Sequence, residues 1–399
     1  MNMYAAHRNA PRTAGFSLIE LMVALVLGLI LMGGVISVFI TSKSTYSLNN
    51  ALGAVQESGR FAMGLMAPNI RMAGFMGCAA VANGATYSTL TNTPSDIYNF
   101  ANAVEGYEAK NTGVGGAYTM PSTVVADTTA TDWAPAPATA PGVPSALMTM
   151  TGAVPPVKGS DMFVLHEAAG NGFYIQPNGS GNYVSSGNVY LLPADAQQIQ
   201  QGQILIVSDC KNTVLSQATN TPGTSNDGHV EHSNSGSYVP GNTNPQWPVN
   251  FGKGAQLFVA EAYVYYIGIG KDLGPSLYMV NLGVTGTAAT PVELVSGVEN
   301  MQVLYGVNTS GATGDNVAPN AFVPADVVYA NNDWANVVSL RIALITQSDD
   351  NSTDKTPATA PTYTLLDSSS TYGVTLTAPK DRRLRRVFQE TISIRNKLP

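Results

Sequence analysis

Glu20 stands alone. Between Phe16 and Ile40 the chain runs for 25 residues in which it is the only charged side chain. As an α-helix this run is about 37 Å long, against a bilayer core of roughly 30 Å, so it is long enough to span with some tilt. A carboxylate at mid-membrane costs about 2.5–3.5 kcal/mol. One turn in from the start, Glu20 costs less, and two readings remain: its carboxylate reaches the headgroups of a simple signal anchor, or it pairs with a cation once the membrane is left behind. The leader before Gly15 carries His7, Arg8 and Arg12 and no acid, which predicts a cytoplasmic N-terminus and export of everything after the run. After Ile40 comes Thr41-Ser42-Lys43, with no small-residue cleavage site of the secretory kind, so the sensible cut lies before the run, after Gly15.

Other residues that could do chemistry are few. Cys78 and Cys210 both lie beyond the apolar run, where an oxidising compartment permits a disulfide. The loop-entropy model gives about 5 kcal/mol for a closed loop of this size; the alternative is two unpaired thiols. Two cysteines without C-x-x-C spacing do not make a zinc site. His229-Val230-Glu231-His232 has a ligand-like look, but it sits in a Gly/Ser/Asn stretch, and the other histidines are His7 and His166, so solvated histidines are expected. Asp315, Asp326 and Asp333 are weak Ca²⁺ candidates that match no EF-hand spacing; the expectation is no metal and no cofactor. No G-x-S-x-G, P-loop or strand-borne G-x-G-x-x-G is present, so no enzyme is read.

The elements that must position these residues follow from periodicity. Leu48, Leu52, Val55, Gly59, Ala62 and Met66 continue a helical seam, with Glu57 and Arg60 off it. One helix is therefore expected from about Ser17 to Ala67, ended or kinked by Pro68. Gly33-Gly34 marks either a weak spot or a place of close helix packing. The segments 111–157, 171–188 and 216–248 are poor in large apolar side chains and read as surface loop. Between and beyond them, Met162–His166, Val189–Leu192, Gln203–Ser208, Leu257–Ile269, Leu277–Leu282, Val337–Gln347 and Leu384–Asn396 read as strands, and Pro291–Val307 as a short helix or turn followed by a strand.

Charge narrows the function classes. Residues 16–379 carry 10 Lys/Arg against 24 Asp/Glu, while the last twenty residues carry 7 against 2. An acidic ectodomain argues against general nucleic-acid binding. The basic tail with Arg382, Arg383, Arg385 and Arg386 is either a contact for DNA or an acidic partner, or a charged edge strand that resists aggregation.

Gly15-Phe16-Ser17-Leu18-Ile19-Glu20, continued by Leu21-Met22-Val23-Ala24, resembles the type IV prepilin signature. Gln56-Glu57-Ser58-Gly59-Arg60-Phe61-Ala62, the Arg71-Met72-Ala73-Gly74-Phe75-Met76-Gly77-Cys78 stretch, and Pro291–Val307 with Val337–Gln347 and Leu384–Asn396 resemble the PilW family of minor pilins. Pro68 departs from the family's usual polar residue. The resemblance covers about 16–78 and 256–396 and fades between.

It implies an α+β pilin lollipop: a leader (1–15), a long N-terminal helix (16–67, with 16–40 transmembrane and in contact with lipid), and a periplasmic head (68–399). The head would be built on an antiparallel sheet, with a loop-rich insert at about 83–250. It implies cleavage between Gly15 and Phe16 by prepilin peptidase, N-methylation of Phe16, and an assembly role for Glu20 against the Phe16 amine of a neighbour. The implied partners are other minor pilins, the major pilin and the inner-membrane assembly platform. The implied path runs from a single-pass inner-membrane protein to the pilus fibre. The function expected is priming assembly and forming part of the tip, supporting adhesion, twitching motility and DNA uptake. A J-like minor pseudopilin of type II secretion, and a signal-anchored tip adhesin or enzyme, are the alternatives.

Overall fold

A computed structural model describes residues 15–397, apart from 81–84, 92–95, 113–116, 136–142, 151, 186, 223–227, 235–238, 284–288, 311–317, 350–351, 354 and 367–372. The chain divides into two compact units, 1–50 and 51–399. Helix α1, Leu18–Met72, begins in the first and ends in the second.

In the first unit α1 is bare. Every apolar side chain from Leu18 to Ile40 is exposed. Gly33 and Gly34 are helical, with nothing near the positions their Cβ atoms would take. Thr41 and Thr45 turn their hydroxyls back onto the carbonyls of Ser37 and Thr41, at 2.9 Å each, which satisfies them without leaving the helix.

Of the expected seam α1 buries Val55, Gly59, Ala62 and Met66, and beyond it Ile70; Leu52 is only half-buried and Leu48 is exposed. The helix does not stop at Ala67 as expected. Pro68 lies inside it, and the Ala73 amide still donates to the Asn69 carbonyl at 2.9 Å. The missing Pro68 N–H leaves the Gly64 carbonyl without its helical donor, but both residues face solvent, where water can take that bond.

The head carries a nine-stranded sheet and a four-stranded sheet. The larger contains β1 (Ala85–Ser88), β2 (Val104–Ala109), β3 (Trp133–Ala134), β4 (Met162–Tyr174), β5 (Ile204–Ser208), β6 (Asn212–Gln217), β7 (Gln256–Ile269), β8 (Pro275–Asn281) and β9 (Val292–Ser296). Their order is β1-β6-β5-β7-β4-β2-β3, with β8 pairing the second half of β7 and β9 pairing β8. All these pairs are antiparallel except β1 with β6. The smaller sheet is fully antiparallel: β10 (Val298–Val307), β11 (Ala321–Val323), β12 (Val337–Gln347) and β13 (Arg385–Ser393), in the order β11-β10-β12-β13.

The alternation of β-branched and aromatic residues fixes which faces meet. Phe163 and Leu165 of β4, Tyr265 of β7, Val303 and Tyr305 of β10 and Leu340 and Ile342 of β12 share one core with the α1 seam. The opposite face of the larger sheet forms a second core, which takes Trp133 and Leu147. The opposite face of the smaller sheet is covered by Thr362–Leu365, Val374–Thr377 and Ala117–Thr119.

Several loop expectations are corrected here. Within 111–157, Trp133 is fully buried, with its indole N–H donating to Ser160 O at 2.9 Å, and Val143–Thr149 is a helix. Within 171–188, β4 runs on to Tyr174 and Val184–Ser185 pairs with Asn188–Tyr190. Within 216–248, His229–Glu231 is a strand. These segments hold few large apolar residues, but those few are placed where an existing core receives them. Pro291–Val307 contains no helix: β9 and β10 are separated by Gly297, whose φ of +78° makes the break that a side chain would resist.

Candidate functional site

Gly15, Phe16 and Ser17 precede the first helical residue, and the Ser17 carbonyl accepts the Leu21 amide at 3.1 Å. Glu20 therefore lies in the first turn of α1, where the unpaired N–H groups favour a negative charge. Phe16 is 83% exposed, so a peptide bond at Gly15–Phe16 is open to a protease from outside the fold. The apolar stripe beside Glu20 has no partner among the described residues: none of the most apolar 18-residue window of α1 is buried. What this arrangement can do is enter a membrane or pack against other apolar helices, with one carboxylate available to a cation.

Cys78 and Cys210 form a disulfide, with Cα atoms 4.4 Å apart. It ties the segment just after α1 to the turn between β5 and β6.

A second junction, which the sequence did not reveal, lies at Gly159-Ser160-Asp161. The Asp161 carboxylate accepts the Ala109 amide of β2 and the Val303 amide of β10, both at 2.9 Å, and so bridges the two sheets. Ser160 Oγ accepts the Met301 amide at 3.1 Å, and the side chains of Asn300 and Gln302 donate to the Gly159 carbonyl. Burial holds the Asp161 carboxyl up to about 7, against the pull of its two amide donors. Glu108, also buried, is pushed well above its ordinary value, first by desolvation and then by Asp161 and Asp326. Tyr305 is fully buried with its hydroxyl unpartnered, and burial followed by the nearby Asp161 and Glu108 raises it. Only an Asp just before an apolar run hinted at this, and such residues are ordinary turn formers. Glu167 and Glu261 sit directly opposite one another on β4 and β7, with Glu167 raised to about 7 by burial and then by Glu261.

The remaining sequence candidates do not converge. Asp326 accepts the amide of Val327, Asp333 accepts from the Asn336 side chain, and Asp315 lies outside the described residues. Among the described residues no three His, Cys, Asp or Glu side chains are grouped to hold a metal. His232 is not solvated: it is 1% exposed, hydrogen-bonds the Gly187 carbonyl through Nδ1 at 2.8 Å and packs on Trp247. Burial lowers it to about 4. The basic tail is mostly spent inside the head. The Arg385 guanidinium is buried and held by Glu299 and Asp381, both at 2.6 Å. Burial opposes its charge, and the two carboxylates more than restore it. Arg382 donates to Thr353 O and Arg383 to Ser348 O. Arg386 is exposed.

Residues 264–396 match the model of the type IV pilus-assembly protein W family, PilW, and residues 11–36 match the prokaryotic N-terminal methylation motif. A type IV-like pilin from Thermus thermophilus is similar at 16% identity over 52% of this chain and 92% of that one, with a TM-score of 0.21. No curated protein matches the chain. The chain thus carries a PilW region and an N-methylation motif on a long apolar helix ahead of a β-rich head, which supports a pilus-related role and anchoring in a membrane.

Proposed function

We propose that this chain is a minor pilin of the PilW kind. It is inserted through residues 16–40 with its N-terminus in the cytoplasm and its head in the periplasm. Prepilin peptidase cuts after Gly15, and the new N-terminal amine of Phe16 is methylated. The function is structural: with other minor pilins it primes assembly on the inner-membrane platform, then remains at the pilus tip beside the major pilin, where it supports adhesion, twitching motility and DNA uptake. The observation that carries this reading is the uncovered apolar face of α1 from Leu18 to Ile40 with a single carboxylate, Glu20, in its first turn. In a filament core a neighbour's methylated amine, still cationic, meets that carboxylate, and two groups that are each costly alone satisfy one another.

The test is mass spectrometry of the chain from sheared pili and from membranes. The proposal expects the mature protein in the pilus fraction to begin at methylated Phe16. A different N-terminus, or absence from pili with accumulation in a type II secretion pseudopilus, would overturn it in favour of processing elsewhere or of the pseudopilin reading.

A further inference from the structure

The two segments that flank the end of α1, Gln56–Ala62 and Arg71–Cys78, contain two arginines that neither processing nor the core uses. Arg60 and Arg71 lie eleven positions apart, three helical turns or about 16 Å, and so share one side of α1. Neither forms an ion pair or a hydrogen bond with any described residue. The buried Arg385, by contrast, is held by Glu299 and Asp381, and Lys158 by Asp132. The two arginines line one groove, of about 410 Å³, between α1 and β13. Its floor is apolar, with Met63, Ala67 and Phe388, and at Gly64 it is open, with nothing within 4 Å of where a Cβ would stand. The opposite wall carries one carboxylate, Glu390. Next to the groove, Phe61 is 56% exposed, an apolar anchor left in water.

We propose that this groove docks the N-terminal helix of a different pilin, whose carboxylates, spaced about three turns apart, pair with Arg60 and Arg71. The inference deepens the minor-pilin reading and rests on it. A helix is favoured as the occupant because the cationic wall is itself a helix face, with its charges repeating at turn spacing. The gap at Gly64 also lets a second backbone come close, as small residues do between packed helices. A second copy of this chain does not fit: α1 carries just two acids, Glu20 and Glu57, 37 positions apart. The partner is therefore a different subunit with the acidic spacing that this one lacks. Phe61 and the apolar floor supply the contact area, and the two guanidiniums set register and orientation.

The experiment places a photo-crosslinking amino acid at Gly64 in the full-length chain, in piliated cells, where the open space accepts it. The expected result is a heterotypic adduct whose linked peptide maps to a pilin helix bearing acids ten to twelve residues apart. Arg60→Glu with Arg71→Glu should reduce the adduct about tenfold or more, as expected for charge-assisted contacts. Replacing the partner's two acids by Lys should restore it. Phe61→Lys, which removes the exposed anchor without reversing the arginines or touching the core, should also reduce the adduct but should not be rescued by the partner swap. A homotypic adduct, an adduct on a helix without such acids, or an adduct unaffected by the double reversal would overturn the inference. If the chain is absent from pili altogether, the minor-pilin reading itself fails. If it is present in pili at the normal level but lacks the heterotypic adduct, only the groove assignment fails.

Discussion

Glu20 and Asp161 are both carboxylates out of place, and they differ in how visible they are. Glu20 is legible from sequence because its oddity is local: one charge in an apolar run. Its benefit is proposed to appear only on assembly, so Glu20→Ala should insert and accumulate in the membrane normally yet be missing from sheared pili. Removing one partner of a buried pair costs about 3–5 kcal/mol, more than enough to exclude a scarce subunit. Glu20→Asp, which keeps the charge and shortens the reach, should be intermediate by immunoblot of the pilus fraction. Wild-type incorporation of Glu20→Ala would leave the residue with a role in processing alone. Asp161 is invisible in the sequence because its partners, Ala109 and Val303, are distant in the chain and contribute backbone amides, which every residue has.

The buried carboxyl of Asp161 also sets a pH dependence. Its folded pKa, about 7, is above its unfolded value, so the folded state holds a proton that the unfolded state has lost. Stability from this group is greatest at about pH 4 and falls as pH rises towards 7, by about 1.4 kcal/mol per unit while the two states differ by a full proton. Above pH 7 the contribution is level. Urea unfolding of the full chain in detergent should show this slope. Asp161→Asn should flatten it and also destabilise the head by about 1–3 kcal/mol, because an amide offers one acceptor oxygen to two buried N–H donors. An unchanged slope in the variant would assign the dependence to Glu108 or Glu167 instead.

Among the elements, α1 was the most legible, and its glycines show where the sequence stops being informative. Gly59 lies on the helical seam and Gly53 off it, but the pattern does not say how closely a neighbour approaches either. In the structure Gly53 has open space around it, whereas a Cβ on Gly59 would collide with the Phe388 ring of β13. The same substitution should therefore have opposite signs at the two sites. Gly53→Ala gains helix propensity and should raise stability by up to about 1 kcal/mol. Gly59→Ala overpacks the junction of helix and sheet and should lower it by about 1–3 kcal/mol. Equal effects in denaturant titration would mean that Phe388 moves freely aside. In the C-terminal half β7, β8, β10, β12 and β13 are readable because each is a long β-prone run, whereas Ala321–Val323, Thr362–Leu365 and Val374–Thr377 are too short to stand out. Trp133, expected in a loop, and His232, expected to be solvated, are both buried, because their neighbours come from segments distant in sequence, which composition does not report.

At the scale of the whole chain, the loop-rich middle is woven into the head. Strands β1, β2, β4, β5 and β6 come from it and complete the sheet that β7 and β8 of the C-terminal half begin. The long sequence separations of these pairings make closure entropy the main opponent of the fold. The Cys78–Cys210 bridge counters it directly, since it closes a separation of 132 residues. In the chain-entropy model that is worth about 5 kcal/mol, as a ceiling. Both cysteines are exposed, so a mild reductant can reach the bond without unfolding the head. Reduction, or Cys78→Ser with Cys210→Ser, should therefore leave a folded head with a melting temperature lower by several degrees. The loss of hydrogen-exchange protection should concentrate in β5 and β6, the strands that flank the Cys210 turn, and should spare β12, which lies in the other sheet. Uniform loss across both sheets would mean that the bridge acts on global stability alone, and an unchanged melting temperature would mean that the unbridged chain is already held together by its sheet pairings.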